Sequence, residues 1–360
     1  MKINLVMIVK NEEKSLERCL RAAAPFVDGM ILVDTGSTDK TMEIARKMGA
    51  VVKEFVWVDD FSAARNYALD QSDADWNLVL DGDETLRAGN RGELESALMS
   101  RKGTWLGGIT RYDSYRDSEG ISVSASVLPR VLPRGVRYIG PIHEQPAGNA
   151  PLFTVPLVAD HDGYLDTDKG ERNLPYLEKA VTEYPEDAYY QFQLALTLRN
   201  LKRLPESLPW FRKFYRTAGK KDAYRAEGVV LYLYTLLDLG MTSHLDEAAK
   251  IVEQEEGDLG DWSDFCFVCG LFYMKRVLSD VARYIALLPK IETCYLKCLQ
   301  IGEMPERGGV VGTGSFKAAY NLGSGYEVSG QTDLALQYYR LAAQQGYGPA
   351  KERLNGLGNS

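Results

Sequence analysis

Along the first half of the chain, apolar residues come in short unbroken runs, INLVMIV, MILVD and WNLVL, each followed at once by a polar cluster. Runs of this length without alternation predict strands buried on both faces. Between them lie stretches with helical spacing. EEKSLERCLRAAAPF puts Leu16, Cys19, Leu20 and Ala23 on one face, TDKTMEIARKMG stops at Gly49, and SAARNYALDQS reads as a third helix, with VVKEFVWV a further strand before it. Strands alternating with helices predict an α/β domain built on a mostly parallel, doubly wound sheet. In such sheets ligands gather beyond the carboxyl ends of the strands. The polar clusters VKNEE, VDTGSTD, VDDFS and LDGDE all fall there.

From about residue 166 the strand pattern stops and the chain reads as almost entirely helical. Leu322, Gly323, Tyr326, Ala335, Tyr339 and Ala342 have the spacing of a tetratricopeptide repeat, and Leu194, Ala195, Leu198, Ser207, Phe211 and Phe214 repeat it more weakly. Two domains are expected: 1–165, α/β, and 166–360, an all-α repeat domain whose concave surface suits a peptide or protein.

Composition narrows the class. The 360 residues are 45% hydrophobic and 26% charged, as in soluble globular proteins, and the formal charge of −8 argues against a protein that coats nucleic acid. No secretory signal follows the N-terminal apolar run, and no run reaches the ~18 residues of a membrane span, so a cytoplasmic protein is expected. The cysteines Cys19, Cys266, Cys269, Cys294 and Cys298 are odd in number, which favours thiols. Cys266/Cys269 and Cys294/Cys298 have the spacing of zinc half-sites, but both pairs lie in helical patterns where small apolar residues suit packing.

The chemistry concentrates in LDGDE, where Asp81, Asp83 and Glu84 crowd the end of a buried strand. Three carboxylates there repel one another unless a positive charge sits among them. A divalent cation, Mg²⁺ or Mn²⁺, carrying a nucleotide diphosphate would supply it; a solvated surface loop is the plain alternative. Asp34 and Glu12 end two other strands, where a carboxylate can meet a ribose or a base edge.

MIVKNEEKSLERCL, ILVDTGSTDKTMEIARKMGA, DDFSAARNYAL and WNLVLDGDE, taken in order, resemble the successive motifs of family 2 glycosyltransferases with the GT-A (Rossmann-like) fold. IGPIHEQP and LVADHDGY are similar to later elements of one branch, which includes bacterial core-polysaccharide glucosyltransferases and the peptide S-glycosyltransferases of glycocin bacteriocins. The resemblance implies that Asn11, Glu12 and Asp34 hold the uridine, that Arg65 and Asn66 line the nucleotide-sugar pocket, with Asp60 ordering that loop, and that Arg130 faces the phosphates. It implies Asp81 and Asp83 for ribose, metal and diphosphate, with His161 completing the metal shell. For the general base of an inverting transfer it points to Glu144, and neutral His143 would serve a thiol acceptor as well. The remaining histidine, His244, reads as surface.

The expected activity is therefore metal-dependent transfer of a hexose, glucose by resemblance, from a UDP-sugar to a peptide or protein. Neither a nucleic-acid partner nor a membrane span is expected, and a homodimer is admitted. A lipid-linked or surface polysaccharide acceptor is the alternative within the same chemistry. A repeat-based interaction protein with a decayed transferase half is the alternative outside it.

Overall fold

The computed structural model describes residues 1–101, 104–117, 120–162 and 169–357. It divides into two compact units, Met1–Ala180 and Val181–Ser360. The expected boundary at 165/166 lies outside the described residues.

The first unit contains β1 (Ile3–Val9), α1 (Leu16–Ala23), β2 (Gly29–Asp34), α2 (Thr41–Lys47), β3 (Val51–Glu54), α3 (Phe61–Asp70), β4 (Trp76–Val79), β5 (Glu84–Gly89), α4 (Arg91–Met99), β6 (Leu106–Asp117), β7 (Gly120–Pro133), β8 (Tyr138–Ile139), β9 (Gln145–Pro146) and β10 (Leu152–His161). The main sheet runs β3-β2-β1-β4-β7-β6-β10-β5, and β8 and β9 form a separate hairpin. β3, β2, β1 and β4 are mutually parallel; β7 is antiparallel to both β4 and β6; β10 is parallel to β6 and antiparallel to β5.

Strand β1 shows why the run is unbroken. Ile3, Leu5, Met7 and Val9 point into a core shared with Leu16, Cys19, Leu20 and Ala23 of α1. Val6, on the opposite face, packs with Val33, Val79, and Ala68 and Leu69 of α3. A strand covered on both faces has no position to give to solvent. The stripe on α1 is fully buried, at about 1.5–3 kcal/mol for each leucine.

The second unit is helical. After α5 (Lys169–Glu183), most of which belongs to the first unit, come α6 (Ala188–Asn200), α7 (Leu204–Thr217), α8 (Arg225–Leu239), α9 (Thr242–Leu259), α10 (Ser263–Ser279), α11 (Val281–Tyr284), α12 (Leu288–Ile301), α13 (Phe316–Val328), α14 (Thr332–Gln344) and α15 (Gly348–Leu357). The repeat positions Leu194, Ala195, Leu198, Ser207, Phe211 and Phe214 are all buried, as are Leu322, Gly323, Ala335, Tyr339 and Ala342. A Cβ on Gly323 would lie 2.7 Å from Cδ1 of Tyr339, so the α13–α14 crossing requires a residue without one. Gly323→Ala is expected to cost about 1 kcal/mol net, overpacking outweighing the gain in helix propensity. Gly325→Ala in the same helix meets nothing within 4 Å and is expected to raise the melting temperature instead. Thermal denaturation of the two variants checks the pair.

His244 departs from expectation. It is buried in α9, beside Leu245, because the apolar face of that helix is wide, continuing through Ala248, Ile251, Val252 and Leu259. Among the helical cysteines, Cys266 and Cys298 pack in one apolar cluster and Cys269 in another. Cys266 and Cys298 donate their thiol hydrogens to the carbonyls of Gly260 and Ser263, and no metal-binding group of three or more His, Cys, Asp or Glu occurs among the described residues. Among those residues, too, no helix is long and apolar enough to cross a membrane.

Candidate active site

The parallel register pairs Val9 of β1 with Asp34 of β2, so the strands end level. β2 and β3 extend the sheet to one side of β1 and β4 to the other, which makes the gap between β1 and β4 the topological switch point. Around it the loops are tightly tied. Asn11, at φ +57°, accepts the Thr38 amide on Oδ1, and its own amide donates to Ser37 Oγ. Asn11, expected at the uridine, thus holds the β2–α2 loop through its side-chain oxygen and backbone N–H. Glu12 receives Ser15 Oγ, and its backbone amide donates to Thr41 Oγ1. Its side chain lies over Gly82: a Cβ there would come within 2.7 Å of Glu12 Cγ. The glycine of Asp-Gly-Asp is needed for that close approach. Asp34 is buried, with Oδ2 accepting the amides of Gly36 and Ser37 and Oδ1 without a protein partner.

α3 begins at Asp60, whose carboxylate caps it by accepting the Ala63 amide and the Ser62 hydroxyl. The cap sets the direction from which Arg65 enters. Arg65 Nε donates to Glu144 Oε1 at 2.7 Å and Nη2 to Asp81 Oδ1 at 2.5 Å. Its neighbour Asn66 bonds the Tyr138 backbone twice, donating to the carbonyl and accepting from the amide. Asn66, expected at the nucleotide-sugar pocket, thereby ties α3 to the β8 segment.

Arg130 owes its position to a bulge. Gly107 pairs with Val131 and Gly108 with Pro129, which leaves Arg130 as the extra residue of β7. Such bulges re-aim side chains beside functional sites. Nη2 of Arg130 donates to Asp81 Oδ2 at 2.7 Å and to Glu84 Oε1. Arg130, expected at the phosphates, thus meets two carboxylates here.

These contacts extend into a ladder of alternating charge. From Glu144 it passes to Arg65, Asp81, Arg130, Glu84, Arg111, Asp113, His161 and Asp83, five carboxylates separated by four basic groups. Arg111 donates to Glu84 Oε1 at 2.8 Å and contacts Asp113 Oδ1 at 3.0 Å. His161 Nδ1 is 2.6 Å from Asp113 Oδ1, and Nε2 is 3.4 Å from Asp83 Oδ2. Strand registers account for the crowding: His161 of β10 pairs with Glu84 of β5 on one side and Asp113 of β6 on the other.

The ladder answers the question of the clustered acids differently from the sequence. Both oxygens of Asp81 are taken by guanidinium groups, and fully buried Glu84 holds two more. Asp81, expected at the ribose, metal and diphosphate, is here the ion-pair partner of Arg65 and Arg130. Burial opposes its charge, but Arg130 and Arg65 outweigh that and hold it well below the usual carboxylate range. Burial likewise works against a charged His161, but the bonds to Asp113 and Asp83 prevail and push it up to about 9. A proton on Nε2 then occupies the contact with Asp83. Burial moves half-buried His143 the other way, to about 4, so it is neutral at pH 7; its φ is +50°.

Glu144, Arg65, Asp81, Arg130, Asp83 and His161 are therefore joined in one network, and Asn11, Glu12 and Asp34 stand at the neighbouring strand ends. Sequence reasoning missed Arg111 and Asp113 and assigned Glu84 no role. Asp83 and His161 offer two candidate donors, fewer than a protein-only metal site needs. They do fit a cation whose remaining ligands come from a substrate's phosphates, the usual manner of Mg²⁺.

Residues 5–114 match the profile described as glycosyl transferase family 2. Among curated proteins, a TPR repeat-containing protein of Synechococcus elongatus is 31% identical over 66% of this chain and 61% of its own length. The SPbeta prophage-derived glycosyltransferase SunS of Bacillus subtilis is 25% identical over 78% of this chain and 69% of its own. The chain thus spans less than two thirds of the Synechococcus relative. Glucosyl-3-phosphoglycerate synthase from Mycobacterium tuberculosis, solved with Mn²⁺, UDP and phosphoglyceric acid, overlaps 31% of this chain and 43% of its own at 23% identity and a TM-score of 0.27.

Proposed function

From a chain that carries a glycosyl transferase family 2 domain over residues 5–114, we propose an inverting glycosyltransferase that moves a hexose, glucose in the first instance, from a UDP-sugar to a cysteine, serine or threonine side chain of a peptide or protein. The ladder between Glu144 and the Asp83–His161 pair supports the reading: the carboxylate we assign to proton abstraction and the two groups we assign to the metal belong to one framework.

Each group then has a task. Asp34 offers Oδ1 to the nucleoside, as the strand-end acceptor left over once Oδ2 is spent on its own turn. Asp83 and His161 would hold Mg²⁺ or Mn²⁺, which supplies charge to the leaving diphosphate. Glu144 takes the proton of the acceptor thiol or hydroxyl as the acceptor atom bonds to the anomeric carbon. The anomeric C–O bond breaks on the opposite face, its electron pair leaving with UDP. Arg65 orients Glu144 and keeps it in register with Asp81. His143, neutral beside Glu144, is the second base for a thiol acceptor. Residues 1–165 hold this machinery, and the helical pairs that follow dock the acceptor polypeptide.

Glu144→Gln is expected to keep UDP and Mn²⁺ binding by calorimetry and to lower kcat by about 10²–10⁴-fold, since a base acts only in the transition state. His161→Ala is expected to weaken Mn²⁺-dependent UDP binding itself. Loss of UDP binding in Glu144→Gln would move Glu144 to the donor site. Absence of UDP-hexose turnover by the unaltered protein would favour an interaction protein.

A further inference from the structure

Asp113 belongs to none of the motifs that point to a transferase. It lies in RYDSYRD, a polar stretch of β6, and is buried to 7% exposure. A carboxylate is costly there unless paired and hydrogen-bonded. Two groups pair it, both on the same oxygen: Arg111 Nη2 at 3.0 Å and His161 Nδ1 at 2.6 Å.

The oxygen that meets the Arg111 guanidinium is an acceptor, so the imidazole Nδ1 at 2.6 Å from it is the donor. With Nδ1 committed in this way, Nε2, beside Asp83, is the nitrogen left for a cation, which would displace its proton. The imidazole cannot easily turn away, for His161 is in register between Asp113 and Glu84 on its two neighbouring strands. Glu84 in turn holds Arg111 at 2.8 Å, so the group steadying Asp113 is itself anchored.

We propose that Asp113 is a positioning residue for a divalent cation: its hydrogen bond fixes His161 with Nε2 turned toward Asp83. This rests on the assignment of Asp83 and His161 as ligands. A carboxylate behind a ligating histidine sets its tautomer and orientation and strengthens it as a donor, and removal of such a partner weakens metal binding about 10–100-fold. A purely structural ion pair would change stability and leave the affinity of the folded protein for metal as it was.

The test titrates Mn²⁺ into the full-length protein with saturating UDP, counting free Mn²⁺ by electron paramagnetic resonance. Asp113→Ala is expected to weaken Mn²⁺ binding within that range, and Asp113→Asn by about tenfold, because an amide oxygen still accepts from Nδ1 but without the charge. Affinity for UDP without metal is expected to stay unchanged in both. Asp113→Asn keeps the side-chain shape and decides the matter should Asp113→Ala not fold. Mn²⁺ binding equal to the unaltered protein in folded Asp113→Asn, together with weakened binding in His161→Ala, overturns the role of Asp113 alone. Equal binding in His161→Ala, or none in the unaltered protein, overturns the ligand assignment and this inference with it.

Discussion

Chelation with EDTA, and separately Asp83→Ala, are each expected to stop sugar transfer while leaving the protein folded. The ladder has five carboxylates and four basic groups and ends in a carboxylate on each side. Removing the terminal Asp83 takes away the surplus negative charge and leaves every interior pair intact, so the fold has little to lose. The chemistry loses a ligand. Without the cation, charge building on the diphosphate goes uncompensated, a loss of several kcal/mol and thus about 10³-fold in rate. UDP release measured with and without added Mn²⁺, beside a thermal melt, separates the two effects. Full turnover in EDTA, or an active Asp83→Ala, would remove the metal from the mechanism.

One position along, the expected result reverses. Glu84 is wholly buried and accepts from Arg111, Arg130 and the amide of Asp81. Glu84→Ala leaves two guanidinium groups short of a counter-charge in the interior. Breaking a buried pair in this way costs about 3–5 kcal/mol, a large share of the roughly 5–15 kcal/mol that holds a domain together. Glu84→Gln retains an acceptor and is expected to cost less. Urea denaturation measures both, and a Glu84→Ala protein as stable as its parent would show that the ladder does not hold the sheet together. Adjacent acids of one short motif are thus expected to fail in different ways, one in turnover and one in folding.

That contrast marks where the sequence was readable. Strands β1, β2 and β4 were legible because burial on both faces leaves an unbroken apolar run, and α1 because its stripe follows the helical period. The repeat positions of α13 and α14 were legible from small residues where the helices cross. The crowded charges of Asp81, Asp83 and Glu84 were legible as a problem, but not their solution. Arg111 and Arg130 stand 27 and 46 residues from Glu84, and only the pairing of β6 and β7 within the sheet brings them back. Arg130 faces inward through a bulge, which no periodicity announces. Asp113 sits in a run where polar residues dominate and solvent seemed the natural neighbour. His244 was misplaced because a buried polar side chain looks, in sequence, like one turned outward.

The irregularities in β10 also govern which changes of length the chain can survive. Its pairing shifts between Val158 and Ala159 against β5, and between Thr154 and Val158 against β6. Because side chains alternate faces along a strand, losing or gaining one residue between these shifts and His161 would turn the imidazole outward and bring Asp160 or Asp162 in its place. A single-residue deletion there exchanges a base for an acid one place from the end of the ladder, whereas one in the AGNA segment, between β9 and β10, alters only a connection. Insertions and deletions among natural versions of this protein should therefore collect ahead of Leu152 and be absent from the ten residues that follow.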